Sequence, residues 1–494
     1  MSKALSGISW LQMFKEGEKM EYEVVVGLEV HVELSTKTKI YCSCTTEFGG
    51  KANSHVCPTC MALPGALPQL NKKVVEFAIK AGLALNCNIT KLGRMDRKNY
   101  FYPDSPKNYQ ITQDEFPICR DGFIEVEKEN GEKKRIEIER IHMEEDAGKL
   151  LHTPAGTLVD YNRAGVPLIE IVSRPDMRSA EEAVLYLQKI KSILSCIGIS
   201  DCKMEEGSLR CDLNVSVREK GAIEYGIRSE IKNLNSFKSV EKALAFEFER
   251  QVEIVQKGEV VEQETRRFDE ANTSTLPMRS KGNANDYRYF PEGDLVTINI
   301  SQDWIEAIRE TIPELPFVKA ERFVTEFGLP KYDAGVLTLT MDMAEFFEAT
   351  AKDCLDAKSA SNWLMGDISK LMNEELITAK ALKFTPKQLS EFIKLINSGK
   401  ISNNIGKKVI IEMFKTGKGP KEIVEEKGLI QNSDQGFIAE AVKKVIAENE
   451  QSKIDFKNGK TRVVGFLVGV VMKETKGKAN PQIVNKMVIE GLNK

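Results

Sequence analysis

The sequence predicts a mixed α/β domain, of the α+β type with a mixed or antiparallel sheet, followed by an all-α helical domain and a small helical tail domain. In the first part of the chain, segments of alternating apolar and polar residues are interspersed with segments of helical spacing, as expected for a sheet covered by helices. From Ser301 onward the alternation stops and short amphipathic helices dominate. Segment 311–320, which holds two prolines, marks the boundary between these regions.

The predicted domain boundaries follow these changes along the chain. We predict an N-terminal extension over 1–21, an α/β domain over 22–312, a helical domain over 313–427 and a tail over 428–494. Met20 would serve as a translation start as well as Met1. At 494 residues the chain is too long for a single hydrophobic core, which agrees with several domains.

Composition restricts the possible classes of function. The formal net charge of −3 is not that of a basic protein, so any contact with nucleic acid must depend on local patches. No apolar run reaches the length of a membrane span, and the N-terminus lacks the apolar segment of a secretory signal. The 10 cysteines therefore predict reduced thiols in the cytoplasm, where a cysteine cluster binds metal.

The α/β domain is organised around segment 27–34. Read as a strand, this segment points Leu28 and its alternate neighbours into a core and places Glu29, His31 and Glu33 in one row on the other face. Two carboxylates beside an imidazole offer ligands to a hard cation. The alternative interpretation is a polar strand face that only meets solvent.

Further elements are predicted around this strand. The predicted strands cover 22–41 with a break at 35–36, a hairpin of 122–128 and 135–143, then 209–217 and 224–234, and the predicted helices cover 72–85, 180–196 and 240–258. Their polar rows carry the further carboxylates Glu144, Glu145, Asp212 and Glu230, the last beside Lys232. Four acidic strand faces could line one concavity that holds Mg²⁺, although a solvated sheet face gives the same pattern.

Four cysteines form two close pairs that predict a zinc knuckle. Cys42 and Cys44 precede a loop of twelve residues, which Cys57 and Cys60 follow. Tetrahedral zinc takes four thiolates, and a site with four protein ligands has no open position, so the predicted role is structural. His55 is near enough to substitute for one ligand, and four unrelated core cysteines are the alternative interpretation.

Two segments, 98–110 and 286–291, interleave aromatic residues with cations. Exposed aromatic rings beside cations suit an RNA end or base that must be stacked and neutralised. Tyr100, Tyr102 and Lys107 are the candidate contacts in the first segment, and a packed tyrosine-rich loop is the alternative. The sequence contains no Walker A, GxGxxG or GxSxG signature, so any use of ATP does not involve the common phosphate loops.

The tail is locally basic. Lys473, Lys476 and Lys478 lie in and beside a loop bracketed by Gly477 and Pro481. Exposed lysines of this kind are typical of contacts to a phosphate backbone, and a solvated lysine surface is the alternative.

Read together, these segments resemble the B-subunit family of the bacterial tRNA-dependent amidotransferases. The matching stretches are GLEVHVEL, DRKNYFYPDSPKNYQI, HMEEDAG, PLIEIVS, MEEGSLRCD, EIKNLNSF, ETRRFDE, DYRYFPE, SNWLMGD and GFLVGVVMKETKGKANP. The resemblance runs from about residue 22 to the end of the chain, and stretches of this length and number are far more specific than a short signature.

The resemblance implies both a fold and an activity. The implied fold is a cradle-shaped α/β domain, a helical domain and a YqeY-like tail that touches the tRNA body. The implied activity uses ATP to activate the side-chain carboxylate of Glu-tRNA(Gln) or Asp-tRNA(Asn) as an acyl phosphate, which ammonia converts to the amide. The implied partners in a heterotrimer are an amidase A-subunit, which releases ammonia from glutamine, and a small C-subunit.

The resemblance also implies cofactors and roles for particular residues. ATP, Mg²⁺ and a structural Zn²⁺ are the implied cofactors. The residues that match positions facing the metal and the nucleotide are Glu29, His31, Glu145, Asp212, Glu230 and Lys232 at the reacting groups, with Arg266, Arg267 and Arg288 at the nucleotide. Strict alternation along the strand that ends near residue 145 favours Glu144 instead of Glu145, so both remain candidate Mg²⁺ ligands.

Two other classes of function stay open on the residues alone. The first is a tRNA-binding scaffold protein in which the acidic strands serve only the structure. The second is a metal-dependent hydrolase, which would need a nucleophile in a dry pocket, and no constellation of Ser, Cys or His suggests one.

Overall fold

The computed structural model describes residues 21–280, 287–429, 435–457, 459–475 and 479–493. Contacts divide the chain into two compact units, Met1–Leu315 and Pro316–Lys494. The strands are β1 Tyr22–Glu33, β2 Asn88–Ile89, β3 Leu92–Gly93, β4 Asp96–Asn99, β5 Tyr109–Thr112, β6 Cys119–Glu127, β7 Lys133–Glu145, β8 Lys149–Thr153, β9 Gly156–Asp160, β10 Pro167–Ser173, β11 Leu209–Glu219, β12 Ser229–Lys232, β13 Glu264–Asp269, β14 Ser274–Ser280, β15 Phe290–Pro291 and β16 Ile298–Asn299.

The α-helices occur in both units. They are α1 Lys72–Ala84, α2 Ala180–Cys196, α3 Phe237–Gln256, α4 Gln302–Arg309, α5 Pro316–Phe327, α6 Lys331–Leu337, α7 Met341–Cys354, α8 Ala357–Trp363, α9 Ser369–Glu374, α10 Pro386–Asn397, α11 Asn403–Thr416, α12 Pro420–Glu426, α13 Gln435–Glu448, α14 Glu450–Lys457, α15 Arg462–Glu474 and α16 Pro481–Asn493.

The first unit is built on a sheet of nine strands in the order β14-β13-β12-β11-β1-β10-β7-β6-β2. β1 lies at its centre and pairs antiparallel with β10 and β11. Neighbouring strands are antiparallel throughout except for the parallel pair β12 and β13. This sheet confirms the predicted α/β class with a mixed, mainly antiparallel sheet.

The two faces of β1 differ as the alternation predicts. Leu28, Val30 and Val32 are at most 1% exposed and pack in a core with residues of α1, α2 and α3. Each such buried side chain contributes about 1.5–3 kcal/mol of transfer free energy. A slip of one residue would turn these side chains to the other face, so their burial fixes the register that presents Glu29 and His31 opposite.

The predicted helices of the first unit are confirmed, and their caps explain the boundaries. α2 begins where predicted because the side chain of Ser179 accepts a hydrogen bond from the backbone N–H of Glu182 at 3.1 Å. α3 begins three residues earlier than predicted because Ser236 caps it through the backbone N–H of Ser239, at 3.0 Å.

Two predicted strands are shorter than expected. β1 ends at Glu33, and two residues later the backbone N–H of Ser35 bonds to the Ile199 carbonyl, outside the sheet. β12 covers only residues 229–232 of the predicted 224–234. The predicted hairpin is confirmed as β6 and β7, and β10 is a central strand that the sequence analysis did not assign.

The described part of the second unit is helical, which confirms the predicted change of class. Its buried apolar residues form two clusters, one between Phe323 and Val424 and one between Ile438 and Leu492. The predicted division of this region near residue 427 stays a prediction. Within the described ranges, no helix combines the length and the apolar character needed to cross a bilayer.

Candidate active site

The face of the central sheet opposite the apolar face of β1 gathers carboxylates from five neighbouring strands. They are Glu230 on β12, Asp212 on β11, Glu29 on β1, Glu170 on β10 and Glu144 on β7. The strand register brings them together, because Glu29 lies opposite Asp212 and His31 lies opposite Glu170. Residues opposite each other in an antiparallel pair project to the same face, so the cluster follows from the pairing.

Glu29, Asp212 and Glu230 form the first of two groups in this acidic cluster. Each can place one carboxylate oxygen within 4.8 Å of the others. Lys232 borders the group, with its ammonium 2.9 Å from Glu230 Oε1 and in contact with Asp212. The amide of Asn214 donates to Glu29 Oε1 at 3.0 Å, so the first group is held by fixed donors.

His31, Glu144 and Glu170 form the second group, again with ligand atoms within 4.8 Å of one another. Nδ1 of His31 lies 3.2 Å from Glu144 Oε1, and its Nε2 lies 3.8 Å from Asp212 Oδ2, so His31 joins the two groups. His142 lies behind them, with Nε2 at 3.3 Å from Glu170 Oε2. Its buried Nδ1 has no hydrogen-bond partner among the described residues.

The electrostatics of the cluster are those of a site that attracts cations. Burial and the nearby Glu170 raise the pKa of Glu29. Burial opposes the charged form of Asp212, but His31 and Lys232 outweigh it and lower its pKa to about 2. Burial likewise opposes protonation of His31, yet its bonds to Asp212 and Glu144 hold the pKa of His31 well above its usual range. Protons on Glu29 and His31 and the ammonium of Lys232 therefore offset the negative charge of this cluster, as a bound metal ion would.

The donor set fits a hard divalent cation. Mg²⁺ takes oxygen ligands and is usually held by one or two carboxylates while waters and phosphates complete its shell. The oxygens of Glu29, Asp212 and Glu230 match this preference and are partly accessible. The second group contributes an imidazole as well, which is a weaker ligand for Mg²⁺ than for Mn²⁺.

The side chain of Glu145 lies outside the acidic cluster. Its carboxylate points away from the cluster, lies 2.6 Å from the ammonium of Lys107 and accepts the backbone N–H of Ile111 at 2.9 Å. Successive strand residues project to opposite faces, so Glu144 is the residue that reaches His31. Alternation had favoured this residue, whereas the family resemblance had pointed to Glu145.

The sequence analysis missed Glu170 and His142. Glu170 is the one charged residue in the otherwise apolar strand β10, and it is only 7% exposed. A lone carboxylate within a buried strand is unfavourable unless it is paired or binds a cation. This pattern in the sequence could therefore have identified Glu170. His142 lies two residues before Glu144 on the same face of β7.

The predicted cysteine cluster comes together. The sulfur atoms of Cys42, Cys44, Cys57 and Cys60 all lie within 4.8 Å of one another. Those of Cys57 and Cys60 are 3.8 Å apart, and two thiolates at 2.3 Å from a tetrahedral zinc are also separated by about 3.8 Å. The cysteines therefore fit a structural zinc ion, and His55 is outside the group.

The thiols do not share one environment. A hydrogen bond from Cys42 is the main cause that lowers the pKa of Cys60 to about 5, and the positive charge of Lys39 acts in the same direction. Burial raises the pKa of Cys44 to about 11. Cys60 is thus the thiol that most readily supplies a thiolate to a metal.

The three predicted nucleotide-binding arginines occupy different environments. Arg266 is buried, with Nε 3.1 Å from Glu247 and Nη1 2.5 Å from Glu264, so its guanidinium is already paired with carboxylates. Arg267 lies opposite Lys232 on the face of the acidic cluster and is exposed. Arg288 is exposed and lies over the ring of Phe101, with a distance of 5.6 Å to its centre.

The two aromatic segments meet in the structure. β15 pairs with β4, and the backbone N–H of Asn99 donates to the Tyr287 carbonyl at 3.0 Å. The rings of Tyr100 and Tyr102 lie 5.8 Å apart, and Tyr102 is 47% exposed. Lys107 differs from the expectation of an exposed cation, because it is largely buried and bound to Glu145.

The tail candidates are only partly described. Lys473 lies at the end of α15 and is exposed, whereas Lys476 and Lys478 lie outside the described residues. Phe466 is 57% exposed on the same helix. Arg462 at the other end of α15 is also exposed, so the helix presents two cations and an aromatic ring to solvent.

The first unit therefore combines two candidate metal sites, a cluster of carboxylates on the sheet beside Lys232 and a set of four thiols. Comparison with known families is specific. Residues 24–306 match the family model described as the GatB/GatE catalytic domain, and residues 345–492 match that described as the GatB domain. The chain belongs to the GatB/GatE family.

The similar curated proteins agree. The B-subunit of the aspartyl/glutamyl-tRNA(Asn/Gln) amidotransferase of Clostridium botulinum (strain Loch Maree / Type A3) is 74% identical over 475 residues, which cover 96% of this chain and all of that protein. A B-subunit of the same enzyme from Clostridium acetobutylicum is 69% identical over the same length and coverage.

Proposed function

We propose that this protein is the B-subunit of a tRNA-dependent amidotransferase and that it carries out the activation step. A side-chain carboxylate oxygen of glutamate on tRNA(Gln), or of aspartate on tRNA(Asn), attacks the γ-phosphorus of ATP, and ADP leaves. Ammonia then attacks the acyl carbon, phosphate leaves, and a proton is lost to give the amide. The observation that carries this proposal is the acidic cluster on β1 and its neighbours, within the stretch that matches the catalytic family model.

The cluster suits the problem that this reaction poses. Two anions, the γ-phosphate and the substrate carboxylate, must approach each other, so their repulsion has to be offset. Mg²⁺ held by Glu29, Asp212 and Glu230 would supply that positive charge when bound. Lys232 borders the same group and can donate to a phosphate oxygen once it releases Asp212.

The second group sets the charge around the first. His31 contacts both groups, so its protonation state responds to a cation in either one. We infer that Glu144 and Glu170 would hold a second cation, or Mn²⁺ in exchange, with His31 as a weaker ligand or one that acts through water. Glu170 and Glu144 both contact His142, which fixes their orientation.

The substrate would be held by groups at the edge of this face. We assign Arg267 and Arg288 to the nucleotide, because both are exposed cations on the first unit. Tyr102 offers an exposed ring, and Tyr100 a partly exposed one beside it, on which an unpaired base of the tRNA end can stack. Lys473 in the tail is assigned to the phosphate backbone of the tRNA body.

The cysteine cluster is assigned a different task. We propose that Cys42, Cys44, Cys57 and Cys60 hold one structural zinc ion, because four thiolates leave no position for a substrate. Metal analysis of the purified chain tests this assignment, since one zinc per chain is expected. Absence of zinc together with four freely titratable thiols at these positions would refute it.

The partners follow from the chemistry. An ATP-dependent amidation needs ammonia, and we propose that an amidase A-subunit releases it from glutamine while a small C-subunit completes a heterotrimer. The names of the similar proteins, which are themselves subunits, support an assembly of this kind. A role in aminoacyl-tRNA synthesis implies a cytoplasmic location.

The decisive experiment follows phosphate from labelled ATP onto purified Glu-tRNA(Gln) and Asp-tRNA(Asn) in the absence of ammonia, using the assembled complex. We expect label transfer that requires Mg²⁺ and the aminoacyl group, with deacylated tRNA as the control. Addition of ammonium should then release phosphate and yield the amide. A complex that binds both tRNAs but never transfers phosphate would identify a scaffold protein instead.

The tail proposal has its own test. Deletion of residues 428–494 should raise the KM for tRNA and leave kcat within about three-fold, because phosphate contacts position the substrate without taking part in the reaction. A large loss of kcat with unchanged tRNA binding would contradict this assignment.

A further inference from the structure

We propose that Lys39 is a buried counter-cation of the cysteine cluster. Its positive charge offsets the negative charge of the thiolates and strengthens the binding of zinc. This inference rests on the zinc site proposed above and adds a positioning residue that supplies no ligand. It follows from where the side chain lies, what surrounds it and which charges nearby are already paired.

Lys39 is buried to an unusual degree for a lysine. It is 0% exposed, and its ammonium donates to the carbonyl oxygens of His55 at 2.8 Å and Tyr161 at 3.3 Å. His55 belongs to the loop between the two cysteine pairs, and the backbone N–H of Lys39 bonds to the Cys44 carbonyl at 2.9 Å. The lysine is thus enclosed by the cysteine loop and the segment that follows β9.

A buried ammonium is unfavourable unless an anion compensates it. The nearby carboxylate is that of Glu145, but Lys107 already pairs with it at 2.6 Å and the Ile111 N–H donates to it. Two carbonyl oxygens satisfy hydrogen bonds but bring no net charge. The compensating anion must therefore come from another group at this position.

The cysteine cluster is that group. Around the point that a Cβ on Gly165 would occupy, Lys39 Cδ lies at 3.5 Å, Cys60 Cβ at 3.8 Å and Glu145 Oε2 at 3.9 Å. Gly165 has a φ of +84°, a backbone conformation that favours glycine. Zn²⁺ with four thiolates carries a net charge of −2, and the fully buried Lys39 offsets half of it.

A rival explanation treats Lys39 only as a clasp between two backbone carbonyls. A clasp would stabilise the loop with or without metal, because its hydrogen bonds do not involve the thiolates. A counter-cation acts mainly on the zinc-bound cluster, whose four thiolates leave a net charge of −2, so it stabilises that form more than the metal-free form. The two explanations therefore differ in how much stability Lys39→Met loses with zinc relative to without zinc.

The first measurement uses the full chain as wild type, Lys39→Met and Lys37→Met. Lys37 is exposed on the same segment and is the matched control. Zinc affinity is measured by competition with a chromogenic chelator. We expect Lys39→Met to bind zinc about 10–100-fold more weakly, as groups just outside a metal's ligand shell commonly produce, and Lys37→Met to match wild type.

The second measurement compares thermal unfolding with zinc and with excess chelator. Lys39→Met should have a lower Tm than wild type with zinc and a clearly smaller loss of Tm in chelator. The Lys39→Gln variant, which keeps a donor for the His55 carbonyl but loses the charge, should behave in the same way. Co²⁺-loaded protein adds a spectroscopic check, because removing the charge should shift the sulfur-to-cobalt absorption bands.

Each adverse outcome points to a different error. A wild-type chain that binds no zinc refutes the zinc site and the role of Lys39 together. Equal zinc affinity in wild type and Lys39→Met leaves the zinc site standing and overturns only the counter-cation. Equal losses of Tm in zinc and in chelator, or failure of both variants to fold under either condition, assign Lys39 to the clasp.

Discussion

The cysteine cluster and the acidic cluster are both candidate metal centres, yet the chain builds them in opposite ways. The cysteines come from one loop of 19 residues, Cys42 to Cys60, held by local turns and a few hydrogen bonds. The acidic cluster takes one carboxylate from each of five strands, from Glu29 to Glu230 in the sequence. The first is closed by its own ligands, whereas the second keeps oxygens accessible for a cation and its substrate.

This difference indicates that the acidic cluster should serve the reaction and that the cysteine cluster should serve the stability of the fold. A metal bound by four thiolates cannot accept a substrate, so losing it should affect folding first. A cation held by a few carboxylates still has positions for phosphate oxygens, so losing it should affect the reaction first. Substitutions at the acidic cluster should therefore reduce activation most, and substitutions at the cysteine cluster should reduce it least.

The largest effect is expected at Glu29 and His31. Glu29→Ala and His31→Ala should each reduce phosphate transfer from ATP to Glu-tRNA(Gln) by about a thousandfold, or ~4 kcal/mol, because each removes a group that holds the cation. The assay is label transfer in the absence of ammonia. Glutamine hydrolysis by the partner amidase should persist at a reduced level.

Glu23 supplies the control, since it lies on the same strand and pairs with Arg218 at 2.6 Å, away from the cluster. Glu23→Ala should retain near wild-type transfer. If both cluster variants still form the acyl phosphate at a rate close to wild type, β1 is not the metal site and the contrast between the two centres fails.

The next prediction separates two adjacent residues. Glu144→Gln should reduce phosphate transfer about a hundredfold, since its carboxylate contacts His31, whereas Glu145→Gln should reduce it less than about ten-fold. Glu145→Gln should instead lower Tm, because Lys107 loses its charged partner. The reverse order of activities would restore Glu145 as the reacting residue.

These residues show how far sequence could predict the site. Local spacing was sufficient for the cysteine loop, because all its ligands lie within one turn-rich segment. Alternation placed Glu29 and His31 correctly on one face of β1, but the neighbours of β1 depend on strand order, which is a property of the whole fold. Glu170 was missed for that reason, since β10 enters the sheet between β1 and β7.

The arginines extend the same lesson. Arg266 and Arg267 are adjacent in a stretch that resembles the family, and the sequence could not separate their roles. Strand alternation assigns them to opposite faces once β13 is known, one buried against α3 and one beside Lys232. The sequence alone did not reveal that Arg266 pairs with Glu247, a fully buried residue of α3, which packs against the sheet.

A paired substitution tests this division with a smaller effect. Arg267→Gln should raise the KM for ATP by several-fold to about ten-fold and leave stability unchanged, because the side chain is exposed beside the cluster. Arg266→Gln should leave the KM for ATP near wild type but destabilise the fold by about 1.5–3 kcal/mol, since Glu247 loses one of two cations and keeps Arg250. Steady-state kinetics and denaturant unfolding of both variants give the comparison, and a raised KM for Arg266→Gln alone would reverse the assignment.

The smallest effect on activation is expected at the cysteine cluster, where stability should change instead. Cys57→Ser removes one of four ligands, so it should abolish stoichiometric zinc and lower the Tm, while kcat for phosphate transfer measured well below that Tm stays within about three-fold. Cys87→Ser is the control, because Cys87 is a buried thiol outside the cluster and its loss should leave zinc content unchanged. Chelator treatment of wild type should reproduce the Tm of Cys57→Ser, and added zinc should restore only the wild type. A collapse of kcat in Cys57→Ser at full stability would mean that the closed centre takes part in the reaction, and the separation between the two centres would be lost.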